Sequence, residues 1–154
     1  RGARVTVITT SPEKEKAAKA LGADAVLLSE DKKAMEGSER AFHFILVTIP
    51  DPFDVNDYVP LLKRNGTLVC VGMLNAYKKG IDNSEVAFHR RSIAGSLIGS
   101  IAETQEVLDF CAEHGIQPDV ELIGMRDIND AFDQMTKGEV RFRYVIDMQS
   151  LQED

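Results

Sequence analysis

Apolar and polar positions along this chain alternate between two periods. Val5, Val7 and Ile8 make residues 4–9 a short strand, and Ser11, Pro12 and Glu13 then supply a helix start: a capping hydroxyl, a proline in the first turn and a carboxylate at the positive end. Ala17, Ala20 and Leu21 give that helix a small-residue face, and Gly22 stops it. Residues 25–28 form a second apolar strand, followed by a weak polar helix over 31–36 that Gly37 ends. The run FHFILVTI over 42–49 is almost continuously apolar, which predicts a parallel strand buried on both faces. Val55, Tyr58, Val59 and Leu62 follow helical spacing up to Asn65-Gly66, but Pro60 inside that span costs about 3 kcal/mol in an unbroken helix, so a kink or a late start is expected. Residues 67–71 read as another buried strand closed by Gly72, and 84–89 as a short helix.

The best-marked stretch is 92–115. Ile93, Leu97 and Ile98 are strand-prone, and the small residues Gly95, Ser96 and Gly99 leave backbone uncovered where a flat ligand would lie against a strand end. Ser100 and Glu103 have capping-box spacing, Val107, Leu108 and Cys111 form an apolar stripe, and Gly115 terminates the helix. Beyond Pro118, residues 120–123 form a strand. Ile128, Ala131, Phe132 and Met135 define an amphipathic helix ended by Gly138, residues 141–148 alternate as a half-buried strand, and the tail from Gln149 reads as frayed. Strand and helix in regular succession predict an α/β fold with a doubly wound parallel sheet.

Composition narrows the partners. The chain has 154 residues, 44% hydrophobic and 28% charged, enough for one ordinary globular core. A net charge of -7 supplies no basic excess to displace nucleic-acid counterions, so no nucleic-acid partner is expected. Nothing approaches the roughly 20 apolar residues of a membrane span, and no secretory signal is visible, so a cytoplasmic protein with no membrane partner is expected. Cys70 and Cys111 lack CxxC spacing and read as buried free thiols. His43, His89 and His114 are scattered over a strand, a loop and a helix end, with no metal constellation; His43 reads as satisfied locally and His114 as a cation at a helix C-terminus. The first residue, Arg1, enters almost directly into a strand, which reads as a piece of a longer protein.

The run HRRSIAGSLIGSIAETQEVLDFCAEHGI, residues 89–116, closely resembles the last cofactor-domain strand and helix of the cinnamyl-alcohol-dehydrogenase-like, zinc-dependent alcohol dehydrogenases of the medium-chain dehydrogenase/reductase superfamily. The resemblance covers nearly the whole chain and is weakest over 74–83. It implies a Rossmann-type doubly wound parallel sheet over 1–116 that lacks its first strand, and over 117–154 a C-terminal helix and strand returning to the catalytic domain. Rossmann sheets run in the order 3-2-1-4-5-6, with GxGxxG in the first strand–helix turn; that motif is absent here, so the five strands read as the second to the sixth. The missing strand would lie mid-sheet and pair with both 5–9 and 42–48. Two ladder edges are therefore expected to stand open unless the sheet rearranges or another chain fills the gap.

The end of the first strand in this chain carries Thr9, Thr10 and Ser11, then Lys14, and no carboxylate. Hydroxyls and an amine suit a phosphate, whereas NAD enzymes place an acidic residue there for the ribose; equally, Ser11 reads as a helix cap and Lys14 as a solvated charge. The resemblance implies that Thr9, Thr10 and Lys14 bind the 2′-phosphate of NADP. It also implies that Thr48 and Ile49, then Val71, Gly72 and Met73, then Ser96 and Ile98 line the nicotinamide end, although Ile49, Val71 and Ile98 suit a plain core equally. Arg143 resembles an arginine that reaches the cofactor phosphates, with Arg141 close enough to compete for the role.

In this family the zinc ligands and proton relay precede the cofactor domain. No catalytic or metal residue is therefore expected here, and the chain alone is expected to be inactive. The intact protein would be an NADP-dependent oxidoreductase interconverting alcohols and aldehydes by hydride transfer at a zinc site, dimerising through sixth-strand edges near Ser96 and Ser100. The alternatives are a zinc-free quinone or enoyl reductase of the same superfamily and a non-catalytic nucleotide-binding or dimerisation module.

Overall fold

The computed structural model describes residues 2–137 and 143–151. The chain divides into two compact units, Arg1–Ile98 and Gly99–Asp154.

In the first unit β1 (Thr6–Thr9), α1 (Lys14–Ala20) and β2 (Ala25–Leu28) form a strand–helix–strand step with parallel strands, Thr6 opposite Ala25 and Thr9 opposite Leu28. Asp24 pins the entry to β1: its carboxylate accepts from the Val5 amide at 2.7 Å, and its own amide donates to the Val5 carbonyl at 2.9 Å. Gly22, at φ +95°, turns the chain out of α1. The expected hydroxyl cap is not made. Ser11 starts the helix through its carbonyl, which accepts from the Lys14 amide at 3.2 Å, and no side chain among the described residues caps α1. Pro12 explains this, since the first turn is already set by its fixed φ and by the Glu15 amide bonding to the Pro12 carbonyl at 3.0 Å. Asp31 then caps α2 (Lys32–Gly37) by accepting from the Ala34 amide.

β3 (Phe42–Val47), β4 (Leu62–Cys70) and β5 (Ser92–Gly95) form a second parallel sheet in the order β3-β4-β5, and α3 (Asn83–His89) joins β4 to β5. The helix expected over 55–62 is instead two 3-10 turns, Val55–Asp57 and Val59–Leu61, with Pro60 in the second. Proline removes an amide that an α-helix needs but a single turn does not. The apolar positions still reach the core, since Val55, Val59, Leu61 and Leu62 are each no more than 2% exposed. β4 begins at Leu62 rather than Thr67. Phe42 pairs with Leu62 and Phe44 with Thr67, so the Asn65-Gly66 signal marks a bulge inside the strand, with Asn65 at φ 63°.

One expectation about burial fails. Ile45 and Val47 are buried, but Phe44 and Leu46, on the other face of β3, are 56% and 55% exposed. The 3-10 turns and α3 lie on the Ile45 and Val47 face, and Phe53, Val55, Val59 and Leu61 join Ile45, Val47, Leu68 and Cys70 in one core. Neither ladder continues between β1 and β3. The break falls where the order 3-2-1-4-5-6 places its first strand, and the five strands form an incomplete Rossmann-type α/β sheet.

In the second unit α4 (Ile101–Glu113) opens with the full capping box: the Glu103 amide donates to the Ser100 hydroxyl at 3.2 Å and the Ser100 amide to the Glu103 carboxylate at 2.6 Å. It ends at Gly115, φ 61°, where the Ile116 amide returns to the Cys111 carbonyl at 2.8 Å. The Val107, Leu108 and Cys111 stripe is not buried: α4 contains no buried residue, and Cys111 is intermediate. β6 (Glu121–Gly124) pairs in parallel with β7 (Tyr144–Asp147), and α5 (Ile128–Lys137) connects them, burying Ala131 while Phe132 and Met135 stay exposed. Residues 148–151 are not frayed but form a 3-10 turn, whose Ser150 hydroxyl accepts from the Met125 amide at 2.8 Å. The readings at Gly138, Arg141 and Phe142 lie outside the described residues.

Candidate cofactor site

Parallel strands end on one edge, and it is there that β3, β4 and β5 bring half of the expected residues together. Thr48 and Ile49 follow β3, Val71, Gly72 and Met73 follow β4, and Ser96 follows β5. The three ends are tied by backbone bonds: the Val71 amide donates to the Val47 carbonyl at 2.9 Å and the Ser96 amide to the Cys70 carbonyl at 3.1 Å. Gly72 sets the contour between them. A Cβ at that position would lie 2.4 Å from the Thr48 oxygen and 2.7 Å from the Ile49 oxygen, so only glycine lets the two strand ends close to this distance. Thr48, Ile49 and Ser96 are exposed, Val71 and Gly72 partly so, and Met73 is buried beneath them. The arrangement offers uncovered backbone groups over an apolar floor, which suits a flat ring carrying a carboxamide.

Thr9, Thr10, Ser11 and Lys14 gather at the end of β1. The Ser11 amide donates to the Thr9 hydroxyl oxygen at 3.2 Å, a local turn that places three consecutive hydroxyl residues at the strand end. Lys14 opens α1, is exposed, and makes no ion pair among the described residues. Ile98, 86% exposed, closes the first unit, three residues beyond the end of β5 at Gly95. Residues 96–100 therefore lie past that strand rather than on its edge. Arg143 is exposed in the second unit, where its carbonyl accepts from the Glu121 amide at 2.9 Å.

Several residues that hold the site were not singled out from sequence. Phe53 packs edge-on against Tyr58 and Tyr77, with ring centroids 5.5 and 5.6 Å away, and so joins the loop after β3 to the loop after β4. Asp54 pairs with Lys79 at 2.7 Å, which holds its carboxyl below the usual aspartate range. Farther along the same loop the Asn56 side chain donates to the Gly80 carbonyl at 3.0 Å and accepts from the Asp82 amide at 2.8 Å, and Asn56 and Asp82 line a cleft at the other edge of the sheet. The Phe53-Asp54-Val55-Asn56 run gives the available signal: an aromatic beside turn-forming residues immediately after a buried strand.

At the opposite, N-terminal edge of β3–β5 lies a cleft of about 220 Å³ lined by Arg40, Pro60, Glu85 and Arg91. Arg91 is 5% exposed and donates to the carbonyls of Pro60 and Leu62 and to the Glu85 carboxylate, so its hydrogen-bonding capacity is used structurally. Burial pushes the Tyr58 and Tyr77 hydroxyls up, away from ionisation near neutral pH. Among the described residues no three of His, Cys, Asp and Glu are grouped to hold a metal, and no helix is long and apolar enough to cross a membrane. The hydroxyls and Lys14 amine at the end of β1, with the uncovered backbone groups after β3–β5, are a donor set that fits a dinucleotide.

Known proteins share this sequence and fold. Residues 1–113 match the zinc-binding dehydrogenase family model. The aldehyde reductase YahK of Escherichia coli is 47% identical over 150 residues, 97% of this chain and 43% of that protein. Probable cinnamyl alcohol dehydrogenase 2 of Picea abies is 42% identical over 148 residues, 96% of this chain and 41% of the relative. Among solved structures, a cinnamyl alcohol dehydrogenase from Sorghum bicolor superposes with a TM-score of 0.85 at 34% identity, over 95% of this chain and 41% of its own. A Helicobacter pylori cinnamyl alcohol dehydrogenase complexed with NADP(H) gives 0.78 at 36% identity, over 96% and 42%. The chain thus spans about two fifths of the length of the curated relatives it matches. It belongs to the zinc-binding dehydrogenase family, in the cinnamyl-alcohol-dehydrogenase-like branch of the medium-chain dehydrogenases/reductases.

Proposed function

We propose that this chain supplies the cofactor side of an NADP-dependent oxidoreductase that interconverts alcohols and aldehydes by hydride transfer. The observation that carries the reading is the end of β1. Thr9, Thr10 and Ser11 meet the exposed Lys14 ammonium there, with no carboxylate on the strand end, a donor set that favours a 2′-phosphate and leaves a bare ribose without its acidic acceptor. The NADP(H) held by the Helicobacter pylori relative supports the same choice.

The nicotinamide then lies against Thr48, Ile49, Val71, Gly72 and Met73, with backbone groups at Ser96 and Ile98 orienting its carboxamide and Arg143 serving the phosphates. The nicotinamide supplies the hydride acceptor and donor. This chain's contribution is to fix the ring against the paired strand ends, where Gly72 permits close approach, and to exclude water with the Met73 and Phe53 core beneath. Residues 1–116 form the cofactor domain and 117–154 the segment returning to the catalytic domain. Zinc, the proton relay and the substrate pocket belong to the remainder of the protein, so the chain alone does not turn over. The outer edge of β5, unpaired among the described residues, is the proposed homodimer contact, and the protein is proposed to be cytoplasmic.

The test joins this chain to the remainder of the Escherichia coli aldehyde reductase. Aldehyde reduction by the joined enzyme with NADPH in preference to NADH is expected. Turnover that prefers NADH would contradict the NADP reading; NADPH binding without turnover would favour the non-catalytic module.

A further inference from the structure

Asn65 is the only asparagine in the chain followed by glycine; the others precede aspartate, alanine or serine. The difference is chemical. An asparagine side chain is open to attack by the backbone nitrogen of the next residue, and a Cβ on that residue stands in the way, whereas glycine has none.

The fold leaves this pair of residues outside the strand register. Phe42 pairs with Leu62 and Phe44 with Thr67, so Lys63, Arg64, Asn65 and Gly66 together face only His43 across the β3–β4 ladder. On the other side, β5 begins to pair at Thr67. Gly66 therefore enters no residue pair of either ladder. Asn65 is exposed at φ 63°, and its side chain makes no hydrogen bond among the described residues. The other asparagines differ: the Asn56 amide is held by Asp54 and Gly80, the Ser84 amide that follows Asn83 is taken by the Asp82 carboxylate at 2.9 Å, and Asn129 lies within α5.

The local charge favours the same reaction. The attacking species is the deprotonated Gly66 amide, and nearby cations stabilise an anionic form. Lys63 and Arg64 directly precede Asn65, and the sequence holds no carboxylate between Asp57 and Asp82. Across the bulge the Lys63 ammonium donates to His43 Nε2 at 3.3 Å. Exposure, register and charge thus meet at one residue.

We propose that Asn65 is a self-modifying site of the folded protein, converting without an enzyme to aspartate and isoaspartate and so placing a new carboxylate beside Lys63, at the opposite edge of the sheet from the candidate cofactor site. The Gly66 nitrogen bonds to Asn65 Cγ, the bond from Cγ to the side-chain nitrogen breaks, and ammonia leaves carrying the Gly66 amide proton, which closes a succinimide ring. Water then opens the ring. Opening at Cγ gives aspartate; opening at the main-chain carbonyl routes the chain through Cγ and gives isoaspartate. Nothing is oxidised or reduced. Isoaspartate lengthens the main chain by a methylene, which the bulge takes up, while the pairs from Phe44 and Thr67 onward are kept.

The full chain is held folded in mildly alkaline buffer, beside the same chain unfolded in urea, and both are sampled over days. Peptide mapping by mass spectrometry follows each asparagine, and an endoproteinase that cuts before aspartate but not isoaspartate tells the two products apart. Conversion of Asn65 in the folded chain is expected at no less than about a tenth of the unfolded rate, and at least about tenfold faster than at Asn75 or Asn83. Both products should form, and the rate should rise with pH. Asn65→Gln, whose longer side chain must close a larger ring, should lose the conversion and keep the fold. Converted chain separated by anion exchange should retain amide protection in β4 beyond Thr67. Conversion confined to the unfolded chain, equal rates at Asn65 and Asn75 or Asn83, or loss of β4 protection in the converted chain overturns the proposal. No nucleotide enters the measurement, so its outcome is independent of the NADP reading.

Discussion

Gly72 and Thr48 approach so closely that a Cβ on residue 72 would lie 2.4 Å from the Thr48 carbonyl oxygen. The obstacle is backbone, which cannot rotate away as a side-chain tip would. One glycine thus fixes the distance between the ends of β3 and β4, and with it the floor on which the nicotinamide is proposed to rest. Gly72→Ala is expected to separate the two ends, at a cost of about 1–3 kcal/mol in stability, and to weaken NADPH binding in the joined enzyme. Chemical denaturation and nucleotide titration check both; a variant with unchanged stability would mean that the strand ends are free to shift.

Phe53 holds the two loops beneath those strand ends. It is 7% exposed and meets Tyr58 and Tyr77 edge-on. Phe53→Ala should cost about 3–5 kcal/mol, and Phe53→Leu much less because most of the volume is kept. Urea midpoints of the two variants, compared at equal slope, measure the difference.

How much was legible beforehand depended on whether the signal was local. The Ser100 and Glu103 box, Gly115, and the β2 span of 25–28 each depend on neighbours within a few residues, and each stands as read. Asn65-Gly66 was also a true turn signal, but whether it ends a segment or bulges a strand depends on Phe42 and Phe44 of β3. Sequence periodicity carries no such register. Phe44 and Leu46 show the same limit: their apolar character was plain, while their exposure follows from which neighbouring strand and helix are present. At the site, Thr9 to Lys14 were legible as chemistry. Phe53 and Asp54 were not, because their partners Tyr77 and Lys79 lie in a loop whose wording gave no guide.

Arg91 anchors the opposite edge. It is buried, and its guanidinium satisfies the carbonyls of Leu62 and Pro60 at 2.6–3.0 Å. Arg91→Ala leaves these acceptors unpaired away from water and should destabilise the first unit by about 3 kcal/mol. Glu85→Gln should matter far less, since that carboxylate is 41% exposed and its ion pair is screened. Thermal melts of the two variants should separate clearly; equal losses would contradict this ordering.

The capping box makes the start of α4 sensitive to acid. Hydrogen bonding from the Ser100 amide, then from its hydroxyl, holds the Glu103 carboxyl below the usual glutamate range. A carboxylate with a lowered folded value stabilises fully above its unfolded value, about 4.3, and loses that contribution as pH falls through the folded one. Protection of the Ser100 amide should therefore persist at pH 5 and disappear only below about pH 4. Loss of protection centred above pH 5, or none at all in acid, would contradict the assignment.

The central claim concerns the 2′-phosphate at the end of β1, and Lys14 is where it is most exposed to test. NADPH and NADH would be titrated into the joined enzyme with and without Lys14→Ala, by fluorescence at fixed ionic strength. The account predicts tighter binding of NADPH than NADH by the parent, a loss of NADPH affinity of about tenfold in the variant, equal to one charge-assisted contact of about 1.4 kcal/mol, and unchanged affinity for NADH. Equal affinities for the two nucleotides in the parent, or an equal change for both in the variant, would contradict it.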